Sequence, residues 1–252
     1  PSPRSGEGLS PAFGSYFQGR CWTVAAKLQL RTGCESRLPT TNCQRPTAND
    51  QLPTANCQLP TTNYNTSVIE HIRARLATYQ PQYIADDTLA RAAILLPLYE
   101  KDGDTHVIFT KRSELVEHHK GQISFPGGAY DATDPDLRYT AVRETWEEIG
   151  VATDHVEVIG QLDEMITISN FLVRPFVGRI TEPGPYPFAH SEIEVAEILE
   201  VPLEHLRDEA NVVAELRTYQ GREIVAYSFR WQRHLIWGAT ARILKQFLEL
   251  VG

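Results

Sequence analysis

The chain has 252 residues, 42% of them hydrophobic, with 32 acidic side chains against 24 Lys and Arg and a net charge of -8. That size and apolar content suffice for one good core with appendages. The acidic balance argues against a basic nucleic-acid surface, and the apolar stretch at 22–30 is too short and interrupted to span a membrane; with no signal-peptide pattern before it, cytoplasmic residence is expected.

Residues 1–66 are rich in Pro, Thr, Asn, Gln, Ser and Gly and hold all four cysteines. A seven-residue repeat runs through them, from Leu38-Pro39-Thr40-Thr41-Asn42-Cys43-Gln44 to Leu59-Pro60-Thr61-Thr62-Asn63-Tyr64-Asn65. A proline in every unit forbids a continuous helix, and so few apolar residues cannot bury a core, so a disordered low-complexity tail is expected over 1–66. Its use would be as a linker or partner-binding tail; the favoured alternative is a DNA repeat upstream of the true start, translated with the rest. Cys21, Cys34, Cys43 and Cys57 lack the paired short spacings of zinc ligands. Residues 67–252 carry no cysteine and hold 29 acidic against 18 basic groups. A polyanionic substrate would be repelled by such a domain at long range, so bound metal ions and a few arginines must supply the counter-charge.

Ser67-Val68-Ile69-Glu70 has the form of a capping box, and Ile69, Ile72, Leu76 and Tyr79 continue at helical spacing until Pro81. Apolar runs at 89–99 and 106–111 predict two strands joined by the hairpin turn Lys101-Asp102-Gly103-Asp104. A short strand at 123–125 leads into Gly127-Gly128. Further strands are expected at 156–162, 171–180 and 193–201, with 181–188 as a surface loop, and a short helix at 203–207. A hairpin about Gln220-Gly221 continues to Phe229, and 239–250 closes the chain as an amphipathic helix. Strands outnumber helices in this order, which predicts an α/β fold with a mixed sheet covered on both sides.

Between these elements lies Arg143-Glu144-Thr145-Trp146-Glu147-Glu148-Ile149-Gly150. Glu144, Glu147 and Glu148 stand at i, i+3 and i+4, which stacks them on one helix face. Two such charges about 6 Å apart repel by roughly 3 kcal/mol at an effective dielectric of ~20, and by under ~1 kcal/mol in open water. A partly enclosed cluster therefore wants a cation, and hard oxygen ligands suit Mg²⁺ or Mn²⁺. The bland alternative is a solvated charged face. Asp134-Pro135-Asp136 supplies an N-cap, a proline in the first turn and an acid at the positive end, and Gly150 is the stop. An i, i+4 bridge from Arg143 to Glu147 would leave Glu144 and Glu148 to bind metal. Gly127-Gly128 lets backbone approach a ligand closely.

These residues carry a resemblance. Gly128, Arg143-Glu144, Glu147-Glu148 and Gly150-Val151 are similar to the Nudix box, departing from it in Asp134, where that pattern has Glu, and in one extra residue before Arg143. Upstream, Thr110-Lys111-Arg112-Ser113 and Gly121-Gln122-Ile123-Ser124-Phe125-Pro126-Gly127-Gly128 resemble the signature of the coenzyme A pyrophosphatases of that superfamily, with Glu117 where the signature has Arg and with His118, His119 and Lys120 beside it. The resemblance implies a Nudix α/β/α sandwich over 67–252. It implies hydrolysis of the pyrophosphate bond of coenzyme A or acyl-CoA, dependent on Mg²⁺ or Mn²⁺. Glu144, Glu147 and Glu148 would be metal ligands and catalytic groups with Arg143, the base being Glu147 or Glu144. Arg112, Ser113, Gly127 and Gly128 would contact substrate, and Trp237-Gly238 is similar to a segment of the same subgroup, its bland alternative being a core tryptophan. The expected partner is a small nucleoside diphosphate, not nucleic acid or membrane, with homodimerisation open. Alternatives are another substrate (ADP-ribose, NADH, a dinucleoside polyphosphate) or a non-catalytic Nudix-fold binding module.

Overall fold

The computed structural model describes residues 67–252 except 116–119 and 220, with Tyr219 and Arg222 described by backbone alone. The repeat, the cysteines, Glu117, His118 and His119 lie outside the described residues.

The first helix, α1 (Val68–Thr78), begins where Ser67 Oγ accepts from Glu70 N at 3.3 Å, and it buries Ile69, Ile72 and Leu76. It stops one residue earlier than the apolar spacing suggests. Tyr79 is already extended, one residue before Gln80, where Pro81 disfavours helical backbone, and the Tyr79 hydroxyl donates to Asp163 Oδ1 at 2.7 Å.

Two long strands follow, β1 (Ala90–Lys101) and β2 (Asp104–Arg112), joined by a turn with Asp102 at φ 55° and Gly103 at φ 90°, the paired positive angles that match a hairpin's twist. β2 stays beside β1 only from Leu98↔Val107 to Lys101↔Asp104. Beyond that point the two strands part. The segment after β2 fills the fork, pairing first with β2 as β3 (Ile123–Ser124) and then with β1 as β4 (Gly127–Ala129). Helix α2 (Leu137–Ile149) comes next, then β5 (Val156–Gln161), β6 (Met165–Ile166), β7 (Phe171–Ile180) and β8 (Val195–Pro202). β7 runs parallel to β1 from Ala90↔Phe171 to Leu98↔Arg179, while β5 and β6 lie antiparallel on β7 and β8 antiparallel on β2. The sheet is therefore mixed.

β1 shows how the layers form. Ala92, Leu96 and Leu98 face α1 and the closing helix α4 (Gly238–Val251) in one core, with Ile69, Ile72, Leu244 and Phe247. The alternate residues Ala93 and Leu95 meet Leu137 and Ala141 of α2, and Tyr99 meets Ile149. A strand covered on both faces has no polar side, which is why β1 reads as a continuous apolar run. The fold is the expected α/β/α sandwich, with a second, three-stranded sheet of β9 (Val212–Tyr219), β10 (Arg222–Trp231) and β11 (His234–Ile236) after the short α3 (Leu203–Arg207). Phe229 and Ile236 carry that sheet into the main core. None of the described helices is long and apolar enough to cross a membrane.

The surface loop at 181–188 is refined and one local expectation is corrected. Residues 181–188 are irregular, as their Pro and Gly content requires, yet Tyr186 and Phe188 turn inward onto Tyr99, with the Phe188 ring centroid 5.6 Å from that of Tyr99. Trp237 is half-exposed and stands at the N-cap of α4, so it is no core residue.

Candidate active site

Helix α2 presents the glutamates. Its N-cap is Asp136, whose Oδ1 accepts from Tyr139 N at 2.7 Å, two residues later than the expected cap at Asp134. Asp134 is drawn away by a stronger partner: its two oxygens take Arg143 Nε and Nη2, each at 3.0 Å, and Oδ2 also accepts from Thr140 Oγ1 at 2.8 Å. A two-pronged guanidinium–carboxylate bond outweighs one neutral cap. Those bonds from Arg143, with Thr140 and the Asp131 amide adding to them, hold the buried Asp134 carboxyl down at about 2. At the other end Gly150 takes φ 71° and its amide donates to Trp146 O, closing the helix as predicted.

Arg143 reaches further than the i, i+4 spacing indicated. Nη1 lies 2.9 Å from Glu147 Oε2, the expected bridge, and also 2.9 Å from Glu144 Oε1. Glu144 is thus not free of the arginine, because a guanidinium fixed by Asp134 lies between the two glutamates. Glu144 also rests against the β4 backbone: a Cβ on Gly128 would stand 2.5 Å from its carboxyl carbon. At Gly127, φ is 155° and a Cβ would meet Ala93 O at 2.4 Å across the strand pair. Close packing against the β1 backbone requires glycine at 127, whereas a Cβ at 128 would displace the movable carboxyl end of Glu144.

Glu148, one turn on from Glu144, is buried at 7% exposed. Its described hydrogen bond is a long one, from Thr110 Oγ1 at 3.5 Å. Burial pushes its carboxyl up to about 8; the charge of Arg112 opposes that rise, and Glu144 and Glu194 add to it. Burial likewise raises Glu144, against the pull of Arg143. Glu194 is the residue that sequence reasoning missed. It comes from the segment before β8, where its carbonyl accepts from Ser113 N at 2.9 Å, and only the pairing of β2 with β8 brings it near α2.

Arg112 ends β2 at a register shift against β8. Its Nε is buried and has no hydrogen-bond partner among the described residues. Ser113 is buried, and its hydroxyl accepts from Leu115 N at 3.2 Å, so that oxygen serves the turn. The loop after it closes where Arg112 N donates to Gln122 O at 2.9 Å and Gly121 N to Arg112 O at 3.1 Å.

Among the described residues no three acidic, His or Cys side chains converge in a cation-holding group. The donors are nevertheless of the right chemistry for a hard divalent ion: three carboxylates on one helix, one of them buried without a strong donor of its own. Arg143 holds two of the three.

The family model for the NUDIX domain matches residues 88–219. A protein of Photorhabdus laumondii subsp. laumondii, described as an uncharacterized Nudix hydrolase NudL, is 34% identical over 179 residues, which cover 71% of this chain and 94% of that protein. A Salmonella heidelberg protein of the same description is 33% identical over 187 residues, 73% of this chain and 95% of its own length. Among solved structures, a MutT/nudix family protein from Enterococcus faecalis aligns with a TM-score of 0.46 and 15% identity, covering 75% of this chain and 71% of that one. Since the family model spans the fork, the glutamate helix and the strands around them, and the relatives match over nearly their whole length, the chain belongs to the Nudix hydrolase family, the pyrophosphohydrolases of nucleoside diphosphate derivatives.

Proposed function

We propose that this enzyme splits coenzyme A or its thioesters into adenosine 3′,5′-bisphosphate and a 4′-phosphopantetheine moiety. The observation that carries this reading is the convergence of two segments. The stretch from Thr110 to Gly128 that resembles the coenzyme A signature borders the glutamates directly, with Thr110 on Glu148 and Gly128 on Glu144. The group that confers substrate resemblance and the group that confers the chemistry thus share one wall.

Glu144, Glu147 and Glu148 would hold Mg²⁺ or Mn²⁺, which when bound offsets phosphate charge and acidifies water. The chain's own residues do the rest. Arg112, with its unpartnered Nε, binds a phosphate oxygen, a charge-assisted contact. Arg143, anchored on Asp134, keeps Glu144 and Glu147 on the same side of α2. One of those two carboxylates takes the proton of the attacking water as its oxygen bonds to phosphorus and the bridging P–O bond breaks, the leaving phosphate departing with that electron pair. Gly127 and Gly128 would meet substrate through their backbone, Gly128 also leaving room for the Glu144 carboxyl. The activity is assigned to 67–252, with 1–66 dispensable.

Purified protein offered coenzyme A, ADP-ribose, NADH and dinucleoside polyphosphates, with products separated by chromatography, tests the substrate. Preference for any other compound by an order of magnitude removes the coenzyme A assignment and leaves the second reading, a hydrolase of another nucleoside diphosphate derivative. Glu117, where the signature has Arg, favours that second reading. Deletion of 1–66 tests the domain assignment, and loss of activity on that truncation overturns it.

A further inference from the structure

The three-stranded sheet has two edge strands, the three-residue β11 and the longer β9. β9 pairs, among the described residues, with β10 alone, in a continuous register from Tyr219↔Arg222 to Phe229↔Val212. Open edges are commonly blunted by charged side chains, proline or a bulge, and of these β9 carries the charged pair Glu215 and Arg217. β9 has no proline and its register with β10 is unbroken. It is instead apolar at its outer part: Leu216 is 73% exposed and stands opposite Val225, itself 48% exposed, on the face that continues inward to Tyr227 and Phe229. The neighbours of Leu216 point to the other face and are of opposite sign, Glu215 and Arg217, both more than half exposed and paired with each other at 2.8 Å.

We infer that β9 is a self-pairing edge, and that two copies of this chain join β9 to β9, antiparallel, about a two-fold axis through Leu216. Charge order selects that register. With the axis at Leu216, Leu216 meets its own copy on the apolar face, while on the other face Glu215 of each chain meets Arg217 of the other. Moving the axis one residue either way sets Glu215 against Glu215 or Arg217 against Arg217, and like charges directly opposite are unfavourable. A half-step shift pairs Leu216 with a charged residue and turns the apolar face of one copy toward the charged face of the other. Only the Leu216 register matches apolar with apolar and Glu with Arg at once. The result is a closed, isologous contact that joins the two three-stranded sheets into one and uses up the β9 edge of both copies. The pairing involves none of the residues assigned to the hydrolytic site.

Sedimentation of the full chain over a wide concentration range tests this. The wild type is expected to show a concentration-dependent dimer. Leu216→Glu, with circular dichroism to confirm folding, is expected to be monomeric with hydrolysis retained. The sharper measurement uses single charge reversals. Glu215→Arg and Arg217→Glu are each expected to weaken self-association at least tenfold, since each sets like charges across the axis. Their equimolar mixture is expected to recover the dimer, because Arg then meets Glu at both crossings. A wild type that stays monomeric at every concentration overturns the proposal. So does a dimer that survives Leu216→Glu, or a mixture that associates no better than its components.

Discussion

Two carboxylates at either side of α2, Asp134 and Glu148, are both screened from solvent, Glu148 much more deeply inside the protein, and they respond in opposite directions. Asp134 has two bonds from Arg143, one from Thr140 and one from the Asp131 amide, and its carboxyl falls to about 2. Glu148 has one long bond from Thr110 and the charge of Arg112 nearby, and its carboxyl rises to about 8. Depth and donors set the sign together: desolvation dominates at the deep Glu148, and the bonds from Arg143 dominate at the shallower Asp134. The Asp134 side of the helix is satisfied by the protein, whereas the Glu148 side holds an unmet demand for positive charge.

The largest expected effect comes from cancelling that demand. Glu148→Gln should reduce hydrolysis by more than the roughly 10–100-fold typical of residues behind a metal ligand. It should also stabilise the domain. The folded carboxyl, near 8, lies above its value of 4.5 in the unfolded chain, so wild-type stability falls as pH rises from about 4.5 to 8 and stays lost above. The gain in the variant, a few kcal/mol at about 1.4 kcal/mol per unit, should be present at pH 8 and vanish by pH 4. Urea denaturation at the two pH values measures it. Mn²⁺ or Mg²⁺ should raise the melting temperature of the wild type and not of the variant. A variant that is both active and no more stable would erase the distinction between the two carboxylates.

Asp134→Asn should act with the opposite sign and a smaller size. Its folded value, about 2, lies below the ordinary 3.8, so its contribution is complete above about pH 3.8 and is lost as pH falls toward 2. The variant should lose about 2 kcal/mol at pH 7 and show a flatter acid limb in denaturation against pH. Hydrolysis should fall about 10–100-fold, because Arg143 then loses the anchor that orients Glu144 and Glu147. Unchanged stability at pH 7 would mean that the ion pair only breaks even against its desolvation.

This contrast marks where the sequence is legible. The i, i+3, i+4 glutamates, the Gly150 stop and the Arg143–Glu147 bridge follow from helical spacing, which is local. So do β1, β2 and β7, whose apolar runs and turn residues are contiguous. The cap was misplaced from Asp136 to Asp134 because both are aspartates beside a proline, and the choice between them was made by Arg143, nine residues on. Glu194 was not legible at all, since it reaches α2 only through the register of β8 on β2. Gly128 stood out in the sequence as a close-approach glycine, while the structure adds that the group approaching it is Glu144. β4, β6 and β11 span two or three residues each, too short to show a period. Local chemistry names the side chains; the fork between β1 and β2 decides which of them meet.

The smallest expected effect probes Arg112, whose charge opposes the rise at Glu148. A hydrogen bond to a charged group contributes about 1.5–3 kcal/mol, so Arg112→Ala should raise KM for the nucleotide by about tenfold or somewhat more. Arg112→Lys should recover part of that loss through its charge, without the Nε donor. If Arg112 also serves as partner to Glu148, Arg112→Ala should destabilise the wild type at pH 8 and have less effect in the Glu148→Gln background, where no buried charge needs it. A double-mutant cycle for stability isolates that coupling. Additive stabilities together with a raised KM would confine Arg112 to the substrate and leave Thr110 as the one described hydrogen-bond donor to the buried glutamate, sharpening the contrast with Asp134.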